Sequence, residues 1–374
     1  MAHSHRKRWG GSYLSLRKGL PILHLFGSPR ELGLAHGRIL SAQIARLKKK
    51  YLERLFRQGY AEDSVRRLCA GMEKFLSREF RQELEGMAQG AGLPFEDILL
   101  FHTFLDIFKV MCCSTFVLAP EIAQGRVIFG RNLDFPTLDV AHLYSLVIVY
   151  HPDEGNRFFS VSWPGIAGAL SGMNENGLAL AAMEVFQDET SLEGEPYVLL
   201  FRRILQTCSR ISQAQSLVEN SPRTTANNLM LADKSGEACL LEITPRQVSV
   251  RYPQDGRLMA TNHFRSPGLY QQVDSWRYDT MAQMIESRRG KIDLDFARQI
   301  LHQVNLGEIT MQSMIFLPQE GKMWLSLGTP PTSGGPYIPV EVAELFSAKK
   351  GREIDSGNPP ASAGGGQEGR KHIK

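Results

Sequence analysis

The stretch Met111-Cys112-Cys113-Ser114-Thr115-Phe116-Val117-Leu118 divides the chain into two textures. Upstream, Ser28, Pro29 and Glu31 supply an N-cap, a first-position proline and the acid of a capping box. The apolar pattern that follows, Leu32, Ala35, Ile39, Gln43, Leu47 and Tyr51, then starts a helix. A second pattern runs through Val65, Leu68, Met72, Phe75, Leu76, Leu84 and Met87 to stop signals at Gly90, Gly92 and Pro94, and a third helix covers roughly Phe95 to Lys109. His36 and His102 lie inside these stretches and are expected to be packing or surface residues. Downstream of Met111, short β-rich runs alternate with turns at Gln124-Gly125, Asp153 to Asn156, Asn174 to Gly177, Lys234 to Gly236 and Glu320-Gly321. Helical patterns at Pro196 to Cys208, Gln271 to Arg288 and Leu294 to Val304 interrupt them, so antiparallel sheets with covering helices are expected. Three parts follow: a mostly helical segment 1–112, an α+β core 113–346, and a Gly-, Pro- and Ser-rich tail 347–374 expected to be disordered.

Composition narrows the class. The 374 residues are 43% hydrophobic and 22% charged, the texture of a globular protein. Net charge is +4, with residues 1–112 carrying 19 Lys+Arg against 11 Asp+Glu. That excess is spread over helix faces without interleaved aromatics, which argues against a nucleic-acid partner. No run of ~18 apolar residues exists, so no integral membrane segment is expected. Five cysteines, at 69, 112, 113, 208 and 239, form an odd set without paired metal-type spacing. Neither a disulfide framework nor a structural metal is implied, and a cytoplasmic location is the simplest expectation. The basic start at Arg6, Lys7 and Arg8 lacks the uninterrupted apolar run and cleavage site of a signal peptide.

The chemistry-bearing pieces come in a fixed order: Cys113-Ser114-Thr115-Phe116, Gly130-Arg131-Asn132-Leu133-Asp134, Thr261-Asn262-His263-Phe264, and Ser275-Trp276-Arg277-Tyr278. Supporting pieces are Gly27-Ser28-Pro29 with His36-Gly37-Arg38, Asn174 to Leu178, and Leu231 to Gly236. Across about residues 20 to 346 this series resembles the N-terminal-nucleophile hydrolases of the penicillin acyltransferase family, related to acid ceramidase and choloylglycine hydrolases. The resemblance implies a four-layer αββα sandwich. It also implies self-cleavage before a cysteine, with the N-terminal fragment staying bound as the protein's own partner. No cofactor and no metal are implied. The implied substrate is a small-molecule N-acyl amide, cleaved at a linear C–N bond through a thioester.

By this resemblance Cys113 is the nucleophile and its freed α-amino group the base. A thiol near pKa 8.5 and an α-amine near 7.7 to 8.0 place both groups close to their working range. Arg131 would favour the thiolate or a developing negative charge. Asp134 would accept a hydrogen bond from the α-ammonium, Asn262 would donate to the oxyanion, and Arg277 would brace the set. Glu184 falls where some amidases of the ceramidase branch carry a glutamate. Residues 131 and 134 should face opposite sides of a regular strand, so both reach one site only if the strand bulges or ends there, as Pro136 suggests. Cys112 stands where the family often has glycine and is the alternative thiol. Other readings are acyl transfer to a bound amine, a papain-like Cys113–His263 pair, and a catalytically silent binding protein.

Overall fold

The computed structural model describes residues 7–56, 61–187, 189–270, 272–273 and 275–351, the side chains of residues 55 and 56 excepted. Most of the tail expected over 347–374 lies outside the described residues. Within the segment expected to be mostly helical, and ahead of its first expected helix, three strands open the described residues: β1 (Arg8–Trp9), β2 (Ser12–Arg17) and β3 (Leu20–Gly27). The reason is that β3 is covered on both faces and pairs in parallel. A strand so placed shows a continuous apolar run, Leu20, Ile22, Leu23, Leu25 and Phe26, instead of alternation.

Helices α1 (Pro29–Leu47), α2 (Glu53–Phe56), α3 (Glu62–Met72), α4 (Arg78–Ala91) and α5 (Phe95–Ile107) follow, with a π-turn at Lys48–Leu52. The capping box holds, Ser28 N donating to Glu31 Oε2 at 2.8 Å. The second helical pattern is two helices, because Ser77 caps a fresh start by accepting from Phe80 N at 3.2 Å. Gly90 does not stop α4; the stop is Gly92, at φ +67°. Gly90 instead belongs to a contact that stop-signal reasoning overlooks. A Cβ on Gly33 or Gly37 of α1 would lie 1.8 Å from Glu83 O or 2.3 Å from Met87 O. On Gly86 or Gly90 of α4 it would lie 2.4 Å from Arg30 O or 2.3 Å from Leu34 O. The two helices therefore touch backbone to backbone.

The remainder holds β4 (Cys112–Leu118), β5 (Ile128–Asp134), β6 (Leu146–Pro152), β7 (Phe158–Ser162), β8 (Ser171–Asn174) and β9 (Ala179–Glu184), then α6 (Tyr197–Thr207) and α7 (Ile211–Glu219). After these come β10 (Asn227–Ala232), β11 (Ala238–Ile243), β12 (Val248–Arg251), β13 (Arg257–Ala260), α8 (Trp276–Ser287) and α9 (Leu294–Gln303). Strands β14 (Thr310–Leu317), β15 (Lys322–Ser326) and β16 (Ile338–Glu341) with α10 (Val342–Phe346) finish the fold. The large sheet runs β1-β2-β3-β6-β7-β8-β9-β10-β11-β12 and the small one β13-β4-β5-β14-β15-β16. The named pairs are antiparallel except β3–β6, which is parallel from Ile22↔Val147 to Gly27↔Pro152. Between the sheets, Phe129 and Phe159 both pack near Phe316. On the outer face of the small sheet, Phe116, Ile128 and Ile315 bury against Met281 and Ile300 of α8 and α9.

The N-terminal third is woven into this body and not merely laid on it. Besides β3–β6, Arg202 of α6 donates to Glu83 of α4 at 2.8 and 2.7 Å, both side chains 1% exposed. Its guanidinium lies over the rings of Phe80, Tyr150 and Phe158. His36 and His102 are buried packing residues whose Nε2 atoms accept from Gly165 N (3.0 Å) and Ala167 N (2.8 Å). No helix among the described residues is long and apolar enough to cross a membrane.

The glycine contact sets a stability test. Gly33→Ala forces α1 and α4 apart and is expected to destabilise the protein by about 1–3 kcal/mol, the usual cost of overpacking. Ala at the exposed Gly71, where a Cβ meets nothing within 4 Å, should be neutral or stabilising. Urea unfolding of the two variants measures the difference.

Candidate active site

Strand register decides which groups can meet. On β4 and β5, Cys112 pairs with Asp134, Cys113 with Leu133 and Thr115 with Arg131. Opposed residues share a face, so Arg131 lies diagonally from Cys113 between the sheets. Cys112, Asn132 and Asp134 turn toward the helices, Asn132 donating to Leu301 O of α9 at 2.7 Å. Arg131 and Asp134 thus take opposite faces, as their spacing demands. The strand ends at Asp134, while the bulge sits on the partner strand, where the β14 register steps between Thr310 and Gln312. That step sets Thr310 opposite Asp134, and its Oγ1 donates to Asp134 Oδ1 at 2.5 Å.

On the other side of β4, Ala260 of β13 pairs with Thr115. Two residues on, Asn262 comes alongside Cys113. Its Oδ1 accepts from Cys113 N at 2.8 Å, and its Nδ2 donates to Met111 O (3.0 Å) and Glu184 O (2.7 Å). Arg277, in the first turn of α8, donates to Cys113 O at 2.7 Å, to Asn262 Oδ1 at 2.9 Å and to Asp134 Oδ2 at 3.4 Å. The Cys112–Cys113 peptide is thereby held at its N–H, and the peptide units before and after it at their carbonyls. The Cys113 N–H is taken by Asn262, and the Asp134 carboxylate serves Thr310 and Arg277.

Glu184 is fully buried at the end of β9, not an exposed strand-end acid. Oε2 accepts from Val110 N (2.9 Å) and Met111 N (2.7 Å), and Oε1 from the Tyr197 hydroxyl (3.0 Å). Nearby, Lys109 Nζ donates to Ala226 O at 3.1 Å. Asp106 Oδ1 accepts from Thr224 Oγ1 at 2.5 Å while its Oδ2 is buried without a partner. His263 is engaged elsewhere, Nδ1 with Thr261 Oγ1 at 2.9 Å and Nε2 with Arg265 at 3.5 Å.

Burial dominates the electrostatics. It pushes the Cys113 thiol up to about 12, with Arg131 pulling the other way, so the intact chain holds the thiol protonated. This departs from the near-neutral thiol expected of a free cysteine. Burial also raises Asp134 to about 6 against the Thr310 hydrogen bond and two guanidinium groups, and Glu184 and Asp106 to about 7. Arg131 donates through Nε to Ser171 Oγ at 2.7 Å, and both its Nη atoms are buried without partners. Two unpaired guanidinium nitrogens beside a thiol are donors waiting for an oxygen. Sequence reasoning missed Thr310, Ser171, Tyr197 and Lys109. None carries a motif, and only register and sheet packing bring them in.

A small apolar slot of ≈ 30 Å³, room for about one water-sized sphere, lies against Phe135, the residue after Asp134; Leu47, Tyr51, Leu52, Phe101, Phe104, Leu105, Ala141, Trp163, Ile166 and Leu170 complete its lining. Of the nearby apolar side chains, Phe135 and Trp163 line the slot, Met173 is core, and Phe186 is 46% exposed.

Two facing sheets between helical layers, with a buried cysteine at the start of a small-sheet strand, define the N-terminal-nucleophile hydrolase class. Residues 122–331 match the acyl-coenzyme A:6-aminopenicillanic acid acyl-transferase family, and the chain belongs to that family. An uncharacterized protein of Archaeoglobus fulgidus is 27% identical, the match spanning 79% of this chain and 60% of that one. Rat acid ceramidase is 24% identical over 50% of this chain and 54% of its own. Among solved structures, the Caenorhabditis elegans ortholog of N-acylethanolamine-hydrolyzing acid amidase aligns with a TM-score of 0.46 at 17% identity, over 55% of this chain and 93% of its own.

The buried carboxyls give a pH test. Asp106 titrates near 7 in the folded chain against an ordinary 3.8, so between these values the folded state holds a proton that the unfolded state has lost. Its contribution to stability is full below about pH 4 and is lost as pH rises through 7. Asp106→Asn keeps an acceptor for Thr224 but removes the titration. Its melting temperature should gain on the parent's between pH 4.5 and 7.5; parallel curves would contradict the assignment.

Proposed function

We propose that the protein is a self-processing amidohydrolase whose nucleophile is Cys113 and whose substrate is an N-acyl amide. The observation that carries this is the grip on three consecutive peptide units centred on the Cys112–Cys113 bond: Asn262 holds the Met111 carbonyl before it and the Cys113 N–H within it, and Arg277 holds the Cys113 carbonyl after it. Cys112 faces Asp134 on the helix side, away from the unpaired Arg131, which favours Cys113 as the attacking thiol.

In processing, the Cys113 thiol attacks the Cys112 carbonyl carbon and the Cys112–Cys113 C–N bond breaks, the nitrogen leaving as the α-amine with the thiol's proton. Water then opens the resulting thioester, giving a Cys112 carboxylate and a free N-terminal cysteine. Glu184, which fixes the N–H groups of Val110 and Met111, holds the leading strand in line. Release of that strand empties the Asn262 Nδ2 donor that Met111 O occupies. A substrate carbonyl oxygen can take its place.

In turnover, the α-amine accepts the thiol proton, the thiolate attacks the amide carbon, and Asn262 and Arg131 hold the oxyanion. The α-ammonium protonates the departing amine, and water, activated by the same amine, hydrolyses the thioester. The chain's curated relatives are matched over only part of their length, so the acyl group rests on the slot: its walls favour an apolar chain. Transfer of the acyl group to a bound amine is the same chemistry with another acceptor.

Intact mass of the purified protein tests processing. Fragments 1–112 and 113–374 are expected, Cys113→Ala should remain one chain, and a cleaved Cys113→Ala protein would falsify the assignment. Asn262→Ala should lower turnover by ~10² to 10³. Across N-acyl amides of growing chain length, kcat/KM should rise almost fourfold per methylene, ~0.8 kcal/mol each, until the slot is full. A flat dependence on length would remove the apolar-acyl assignment.

A further inference from the structure

Two cysteines flank the bond that processing breaks, and the intact chain keeps their thiols apart. Cys112 pairs with Asp134 and turns toward the helices, while Cys113 pairs with Leu133 and turns between the sheets. Neighbouring residues of a strand point to opposite faces, and a trans peptide sets their Cα atoms about 3.8 Å apart, short of the ~4.4 Å that a disulfide needs. Both thiols are accordingly free. Breaking the Cys112–Cys113 bond removes both obstacles. The Cα atoms can then move apart, and Cys112, the first residue of β4 and the last rung of its ladder with β5, can turn about its own dihedrals.

The cut end stays close to the new terminus. Glu184 Oε2 accepts from Val110 N at 2.9 Å and from Met111 N at 2.7 Å, and Asn262 Nδ2 donates to Met111 O at 3.0 Å. The residue before Cys112 is thus held at its N–H and its carbonyl, by the same Asn262 whose Oδ1 takes the Cys113 nitrogen at 2.8 Å. A thiol tethered through one free residue has an effective concentration of about millimolar or more toward such a neighbour. Cys112 is also half-buried where Cys69, Cys208 and Cys239 are buried in the core, so it is the thiol within reach of both Cys113 and solvent.

We propose that the processed protein carries a redox lock, a disulfide between Cys112 at the new end of fragment 1–112 and Cys113 at the start of fragment 113–374. It rests on the reading of Cys113 as the self-processing nucleophile. The oxidant is a peroxide. The Cys113 thiolate attacks one peroxide oxygen and the O–O bond breaks; the thiol's proton, held by the α-amine, leaves on the other oxygen as water, and a sulfenic acid remains. The Cys112 thiol then attacks that sulfur, its proton leaves with the sulfenic oxygen as a second water, and the S–S bond joins the fragments. Two electrons have passed from the pair of sulfurs to the peroxide. The locked state is silent for two reasons: the Cys113 sulfur is consumed, and Met111 O is kept on the Asn262 donor assigned to the substrate carbonyl. A thiol reductant reverses it.

Mass spectrometry of the purified, processed protein after hydrogen peroxide, with and without dithiothreitol, tests the lock. Without reductant, fragments 1–112 and 113–374 should travel as one species, lighter than the two together by two hydrogens, and peptide mapping should place the bridge between Cys112 and Cys113. Hydrolysis of N-decanoyl amides should fall in step with the bridged fraction and return on reduction. Cys112→Ser should still process, form no bridge, and lose activity to peroxide irreversibly, because an unresolved sulfenic acid goes on to sulfinic acid. Inactivation that dithiothreitol reverses equally well in Cys112→Ser would overturn the lock, as would a bridge from Cys113 to another cysteine or a bridge in chain that has not been cut. Processing and N-acyl amide hydrolysis without any bridge would sink the lock and leave the amidase standing. A bridge in a protein that hydrolyses no N-acyl amide, even reduced, would do the reverse. Fragments 1–111 and 112–374 would make Cys112 the nucleophile and remove the lock together with the assignment of Cys113.

Discussion

The Glu83–Arg202 pair is the interaction on which the rest of the arrangement depends. Two fully buried charges have nowhere else to go: separated, each would face the cost of an unpaired ion in the interior, about 3–5 kcal/mol when one partner is removed. The pair therefore fixes α4, and α1 behind it, against α6 at a single position. Arg202 also donates to Ala167 O at 3.1 Å, and His36 and His102 accept from Gly165 and Ala167. One ion pair and two neutral histidines thus pin segment 163–170, which supplies Trp163, Ile166 and Leu170 to the slot. Whether these contacts add net stability is secondary to what they specify, the distance between the helical third and the loop that faces it.

Much of the site was legible because its residues travel in short motifs. Cys113 to Phe116, Gly130 to Asp134 and Thr261 to Phe264 each keep a reactive group beside the residues that shape its backbone, and three adjacent strands of one small sheet then bring the motifs together. What escaped was anything defined by register or by backbone proximity. Thr310 is an ordinary threonine until a bulge in β14 sets it opposite Asp134. Gly90 looks like a terminator, and its real role is visible only with Arg38 and Leu34 across the helix contact. Strand β3 was hidden because full burial erases the alternation by which strands are recognised. The turn at Lys48–Leu52 leaves no compositional trace at all.

The electrostatic design also departs from what residue types suggest. An ordinary cysteine thiol titrates at about 8.5, whereas burial keeps the Cys113 thiol protonated, and the Cys113 N–H is tied to Asn262. Burial acts on Asp134, Glu184 and Asp106 in the same direction, so the region carries less negative charge than its carboxyl count implies. Arg131, its two Nη atoms buried without partners, stands on the Cys113 side of the strand. Its field falls on whatever oxygen approaches Cys113.

The contact between α1 and α4 has a mechanical consequence. The helices meet through Gly33 and Gly37 against Gly86 and Gly90, with Arg30 and Gln89 hydrogen-bonded across the contact, so the first half of α1 is held backbone to backbone. The facing wall is fixed too: Gly168 sits so close to Val198 that a Cβ would lie 2.6 Å from it, and the peptide groups of Gly165 and Ala167 are tied to His36 and His102. The slot thus lies between two anchored walls, like a vice already set, and an occupant must match its width instead of widening it.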